Sequence, residues 1–152
     1  MSAGSDLPPG SYGYSDLARG DIWQTGESEI TIGLIDSFAA VTGDRFEIHM
    51  TEAGAAAYGF RTRVAHGLLI LSMVDGLKNL SPVQLRAVAS LDWQWIFVSP
   101  VYAGDRIRAR ISVRSIGLTK KPERGIVMLA FSVINQDDVL VQTGTNQLMM
   151  MI

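Results

Sequence analysis

The 152-residue sequence contains no cysteine. That absence excludes a disulfide framework, a thiol nucleophile and a thiolate metal site. Histidine is nearly as scarce. His49 and His66 are the only two, so a multi-histidine zinc site would need carboxylates to complete it, and no metal is expected. Charge is sparse and mixed: 18% of residues are charged and the net charge is -2. With no basic run, neither a nucleic-acid footprint nor a polybasic membrane anchor is expected. Apolar runs fall far short of a membrane span. The N-terminal stretch Met1–Arg19 is rich in Gly, Ser and Pro and lacks the apolar core of a signal peptide. It reads as a flexible tail, 1–19, ahead of one domain, 20–152, and a cytoplasmic location follows by default.

What is present is ample apolar material. Hydrophobic residues make up 47% of the chain, enough for one well-filled core. The mean hydropathy is slightly positive, +0.19, which points to extra apolar surface at a subunit interface or a ligand channel.

Asp21–Glu29 reads as a short opening strand. Thr31 then caps a helical pattern in which Ile32, Ile35, Phe38 and Ala39 share a face, and Gly43 ends it. Within the irregular stretch Asp44–Ala65, Thr51 and the following alanines predict a short helix over Glu52–Tyr58. His66–Leu80 is the most apolar helical segment, with leucines and Met73 around most of its circumference, so burial on nearly all sides is expected. The second half alternates instead. In Asp105–Ser115, Ile107, Ala109, Ile111 and Val113 fall on one face, and Arg106, Arg108, Arg110 and Arg114 on the other. Leu85–Val98, Gly125–Asn135 and Val139–Ile152 also read as strands, with turns at Ala103-Gly104-Asp105 and Gln136-Asp137-Asp138. The fold class is α+β: a curved antiparallel sheet wrapped around a long central helix. Such a sheet leaves edges and apolar rims uncovered, so a homodimer paired edge to edge is expected.

Candidate chemistry lies in two short runs, Thr42-Gly43-Asp44 with His49, and Val64-Ala65-His66-Gly67-Leu68-Leu69. A carboxylate at Asp44 and an imidazole at His49 can converge on one water, the imidazole exchanging protons near neutrality. The Gly67 N–H, at a helix start, can polarise a carbonyl on which negative charge develops. By residue type alone the bland alternatives are the stronger, and the catalytic pair is the minority reading. Asp44 then serves as a turn residue after Gly43, His49 as a surface histidine, and His66-Gly67 as an ordinary helix start.

A third block, Phe97-Val98-Ser99-Pro100-Val101-Tyr102-Ala103-Gly104-Asp105, follows in order. Together the three blocks resemble the MaoC-like dehydratases, including the (R)-specific enoyl-CoA hydratases and the NodN-like branch, from about Asp16 to the C-terminus. The resemblance implies a hotdog fold and (R)-specific hydration of trans-2-enoyl-CoA, or the reverse dehydration, on a CoA or acyl carrier protein thioester. It implies that Asp44 and His49 activate water, that Gly67 supplies the oxyanion N–H, and that His66 orients the segment or lines the site. No cofactor is implied, because the conjugated thioester is its own electron sink. Many family members carry Asn-Pro between the acid and the histidine, where this chain has Phe46-Glu47. An acidic residue is common two positions past the histidine, where this chain has Thr51. Two other readings stay open beside hydration: a hotdog acyl-CoA thioesterase, and a catalytically silent acyl-CoA-binding subunit.

Leu91, Trp93, Trp95 and Phe97 share one strand face and read as core packing, with an acyl-tunnel wall as the functional alternative. Met128 and Met149–Met151 read as gap fillers, and the Arg106, Arg108, Arg110 face as solvated. Lys120, Lys121 and Arg124, like that arginine face, are open to CoA phosphates.

Overall fold

The helix and strand signals resolve, in the computed structural model, which describes residues 4–152, into a helix-then-sheet order. Strand β1 (Gly10–Tyr12) leads to β2 (Ile22–Gln24) and the two-residue β3 (Ser28–Glu29). Helix α1 (Ile32–Thr42) is followed by the short α2 (Glu47–Met50) and α3 (Glu52–Ala57), then by the long α4 (Gly67–Leu80). Strands β4 (Val83–Leu85), β5 (Ala87–Phe97), β6 (Arg106–Leu118), β7 (Arg124–Ile134) and β8 (Leu140–Met151) complete the chain.

Local chemistry sets the helix boundaries. The Thr31 side chain accepts from the Leu34 N–H and caps α1. Gly43, at φ 78°, closes it in the left-handed conformation, its N–H donating to the Ala39 carbonyl (2.8 Å). Thr51 caps α3 in the same way, accepting from the Gly54 N–H (2.9 Å).

The main sheet runs β2-β6-β7-β8-β5 with antiparallel neighbours, and β3 also pairs with β6. The opening strand is therefore two pieces, broken at Thr25-Gly26, and the strand expected from Leu85 is split at Arg86. The alternation in β6 is realised: Ile107, Ala109, Ile111 and Val113 are buried while Arg106 and Arg110 face solvent. Val127, Leu129, Phe131 and Val133 of β7 are buried in the same way. These side chains meet Leu69, Ile70, Val74 and Leu77 of α4 in a single core, with Ile70 and Val74 fully enclosed.

Two expectations are corrected here. Helix α4 is buried on one side only. Leu68 is 59% and Leu80 83% exposed, with Ser72 and Gly76 also open, because the sheet covers one face of the helix and, among the described residues, no other element crosses the opposite one. Residues 4–19, read as a loose tail, are packed on the domain. β1 pairs in parallel with β4, and the Asp21 carboxylate accepts the N–H groups of Ser5 (3.0 Å) and Ala18 (2.7 Å). Leu17 is buried, and Tyr12 and Tyr14 pack on the core. Gly, Ser and Pro signal weak local preference, but they do not prevent an extended segment from being held by a distant strand.

The aromatic stripe divides. Trp93 and Trp95 pack on Phe131, each with ring centroids 5.4 Å apart, whereas Leu91 and Phe97 remain exposed. Among the described residues, no helix is long and apolar enough to cross a membrane.

Because Ile70 is fully enclosed between α4 and the sheet, Ile70→Ala leaves a cavity the rigid strands cannot collapse. It is expected to lower the unfolding free energy by about 2–5 kcal/mol. Urea or thermal denaturation reads this, and a loss under about 1 kcal/mol would show that the core closes over the gap.

Candidate active site

Backbone pairing assembles the site. The Ala65 N–H donates to the Val101 carbonyl (2.8 Å), the Ala103 N–H donates to the Arg63 carbonyl (2.9 Å), and Val64 and Tyr102 form an antiparallel bridge. The run leading into α4 is thus held as a strand partner of the run leading into β6. On its other side, the Val64 N–H donates to the Ile48 carbonyl (3.0 Å) and draws in α2. Asp105 locks the far turn. It is buried, and its carboxylate accepts the Tyr102 N–H (2.9 Å) and the Gln136 side-chain amide (2.8 Å). The later part of the third motif block, residues 101–105, therefore works as scaffold.

His49, on the α2 turn, is held at both ends. Its Nδ1–H donates to the Val64 carbonyl at 2.6 Å, which leaves Nε2 with a free lone pair. Its own carbonyl accepts from Arg63 Nε (2.7 Å), and the Arg63 guanidinium also pairs with Asp36 of α1. The His66 ring stacks on the His49 ring, with centroids 3.9 Å apart and planes at 24°. His66 Nε2–H donates to the Asp44 main-chain carbonyl (2.8 Å), and its buried Nδ1 has no partner among the described residues.

Asp44 is exposed, just past Gly43. Its carboxylate accepts the Phe46 N–H (3.2 Å), so a turn role is present. It also lies with the two imidazoles, the potential ligand atoms of Asp44, His49 and His66 all falling within 4.8 Å of one another. Such a set can hold a water, and the same donors would suit a divalent ion. Glu47 faces away, accepting from the Tyr58 hydroxyl (3.3 Å), and Thr51 is spent on its helix cap.

Gly67 opens α4, where an N–H has no intrahelical partner. A Cβ at this position would lie 2.4 Å from the Phe97 ring, so only glycine allows this approach. Two cavities meet at His49, Gly67 and Phe97. The smaller, about 240 Å³, also takes in Asp44, His66 and Phe38. The larger, about 310 Å³, is mostly apolar, with Ile48, Phe60, Ile70, Val98 and Val101 in its wall. A larger hollow beside Leu7 and Trp23, about 470 Å³, contains none of these residues.

The structure thus brings all four residues singled out in the sequence, Asp44, His49, His66 and Gly67, to one place. Two neighbours, Arg63 and Gln142, carry no sequence signal of their own, and Trp95 was singled out only as part of an aromatic strand face. The Gln142 amide Nε2–H donates to the Gly67 carbonyl (3.1 Å), and its Oε1 accepts from Trp95 Nε1 (2.7 Å). Only the distant partner gives each of these side chains its place.

Residues 23–131, which include this helix, much of the sheet and the acid and two imidazoles, match the family model described as the MaoC like domain. The chain belongs to this MaoC-like family, and with it to the hydro-lyases. It is 32% identical over 130 residues to a 3-hydroxybutyryl-CoA dehydratase of Methylorubrum extorquens, an alignment covering 84% of this chain and 77% of the relative. It superposes on an (R)-hydratase from Pseudomonas aeruginosa with a TM-score of 0.76 at 29% identity, covering 91% of this chain and 84% of that one. A Mycobacterium tuberculosis protein described as having a double hotdog fold superposes with a TM-score of 0.83 at 22% identity. That match covers 95% of this chain and 46% of that one, and it bears on fold alone. The fold is the hotdog fold.

Burial pushes the His49 imidazole below its ordinary pKa. The neighbouring His66 adds to the depression, while the Val64 carbonyl and the Asp44 carboxylate oppose it without overcoming it. An NMR titration of the ring is expected to place its midpoint below about 6.5, the ordinary histidine value. The neutral, base-competent ring then dominates at pH 7. By linkage, its contribution to stability is complete above about 6.5 and declines as pH falls through the depressed pKa. A midpoint above 6.5 would mean that the Val64 carbonyl, with Asp44, outweighs burial.

Proposed function

We propose that this protein catalyses (R)-specific hydration of trans-2-enoyl thioesters, or the reverse dehydration of 3-hydroxyacyl thioesters, with Asp44 and His49 as the water-activating pair. The observation that carries this reading is the placement of His49 Nε2, free to accept, beside Asp44 and the start of α4, at the mouth of an apolar cavity. The names of the dehydratase and hydratase relatives support it.

In this mechanism the thioester carbonyl accepts from the Gly67 N–H. Water held by Asp44 and His49 gives a proton to His49 Nε2 as its oxygen bonds to the β-carbon. The π electrons move onto the thioester oxygen as an enolate, which the Gly67 N–H stabilises. A proton then returns to the α-carbon on the same face, so that H and OH are added across the double bond and the site ends as it began. No cofactor enters, and His66 keeps the His49 ring and the Asp44 backbone in register. The cavity suits an acyl chain of the kind handled in fatty acid metabolism, carried on CoA or acyl carrier protein. A cytoplasmic setting belongs to the same proposal.

The test is loss of conjugated-thioester absorbance with trans-2-enoyl-CoA substrates of several lengths, with chiral analysis of the product. Formation of (R)-3-hydroxyacyl-CoA is expected, with kcat reduced about 10²- to 10⁴-fold by His49→Ala and by Asp44→Asn. Folded variants with full activity would sink the assignment of the pair. Release of free CoA would identify a thioesterase, and acyl-CoA binding without turnover would identify a silent subunit.

We also propose a homodimer paired through β5. This strand lies at the end of the sheet order and exposes Val88, Leu91, Ile96 and Phe97, with Val98 just beyond it. A flat apolar edge of this kind is normally covered. Light scattering is expected to give twice the 16.5 kDa chain mass, and Ile96→Arg is expected to shift it toward the monomer. A monomeric parent protein would overturn the proposal.

A further inference from the structure

One face of β8 carries Gln142, Gly144 and Asn146 before it turns apolar at Leu148 and Met150. Gln142 is 2% exposed and stands in the wall of the apolar cavity that also holds His49 and Gly67. A buried primary amide is costly unless both of its ends are paired. Here both are: Trp95 Nε1–H donates to Oε1 at 2.7 Å, and Nε2–H donates to the Gly67 carbonyl at 3.1 Å. The amide can sit only one way round, because an indole N–H only donates and a main-chain carbonyl only accepts.

Trp95 is itself seated. Its ring lies against Gly144, where a Cβ would come within 2.4 Å of the six-membered ring, and it packs on Phe131 at 5.4 Å. Gln142-x-Gly144 is therefore one unit. The glycine opens a slot, the tryptophan fills it, and the glutamine passes that fixed position across to the first residue of α4.

The first residue of α4 is a glycine, with the widest backbone freedom of any residue. Its N–H has no intrahelical partner, and the Phe97 ring beside it offers no hydrogen bond to hold it. An oxyanion donor is effective only when it is oriented before charge develops. We propose that Gln142, oriented by Trp95, is a positioning residue that holds the Gly67 peptide so that its N–H is aimed at the thioester oxygen. This rests on the enoyl-thioester reading above. A hydrogen bond on the carbonyl side of Gly67 limits rotation about its backbone and hence the direction of its N–H. Transition-state stabilisation, rather than substrate binding, is what it protects.

The experiment uses the full-length protein with [15N]glycine labelling, and compares Gln142→Leu, Gln142→Glu and Trp95→Phe with the parent. For Gln142→Leu, kcat on an enoyl-CoA is expected to fall about tenfold or more, with KM nearly unchanged and the Gly67 amide resonance displaced or broadened. Gln142→Glu is expected to match it near neutrality, where a carboxylate accepts from Trp95 but repels the Gly67 carbonyl. It should recover as falling pH protonates the carboxyl and restores a donor. His49, the titratable group in the same cavity, is common to all variants, so activity relative to the parent isolates position 142. Trp95→Phe, which keeps the packing and removes the indole donor, should give a smaller loss of the same kind. It decides the matter if Gln142→Leu does not fold. Parent-like kcat in the leucine variant, a loss confined to KM, or a glutamate variant that tracks the parent across pH would each overturn the proposal. If the parent turns over no enoyl thioester, the reaction assignment fails, and the Gly67 resonance still reports on the relay. An unchanged resonance in Gln142→Leu would then refute it.

Discussion

Two hydrogen bonds, Ala65 N–H to Val101 carbonyl and Ala103 N–H to Arg63 carbonyl, determine where everything at the site lies. They join the segment that becomes α4 to the segment that becomes β6, the helix and the strand on either side of the core. His66 and Gly67 follow this pairing within a few residues, and His49 is tied to it through Val64 on both backbone and ring. The hydrophobic core fixes the helix against the sheet, and this short ladder fixes the chemistry against the helix.

The site is made of parts with different degrees of support. His49 is clamped between the Val64 carbonyl and Arg63, and stacked on His66. Asp44 is exposed and held by a turn contact and by the His66 ring on its carbonyl. A fixed imidazole and a more yielding carboxylate suit a reaction in which one group must keep its tautomer while the other follows a water molecule. The pair between buried Arg63 and exposed Asp36 ties α1 to this arrangement, placing the Arg63 charge where it orders backbone rather than substrate.

Much of this was legible in the sequence. Strict alternation in β6 reveals a half-exposed strand because a period of two leaves no other regular element. The glycine at the end of α1 and the threonine caps mark boundaries through chemistry that acts over a few residues. Asp44, His49, His66 and Gly67 stand in short recognisable blocks. What was not legible depends on partners far along the chain. Gln142 acquires its role from Gly67, 75 positions away, and the pairing of Gly10–Tyr12 with Val83–Leu85 leaves no local trace. The open side of α4 was missed for a related reason. Apolar residues around a helix indicate what it can bury, not how many elements are present to cover it.

Phe97 stands where the two cavities meet, its ring against Gly67, the first residue of α4. On one side lie Asp44 and His66, on the other the apolar chamber, and His49 reaches both. The consequence is evolutionary. On the proposed reading, most of the residues that would choose the substrate differ from those that would handle the proton, and the two sets share Phe97 as a wall. A lineage of such enzymes can alter the chamber behind the wall step by step, each step preserving the chemistry in front of it.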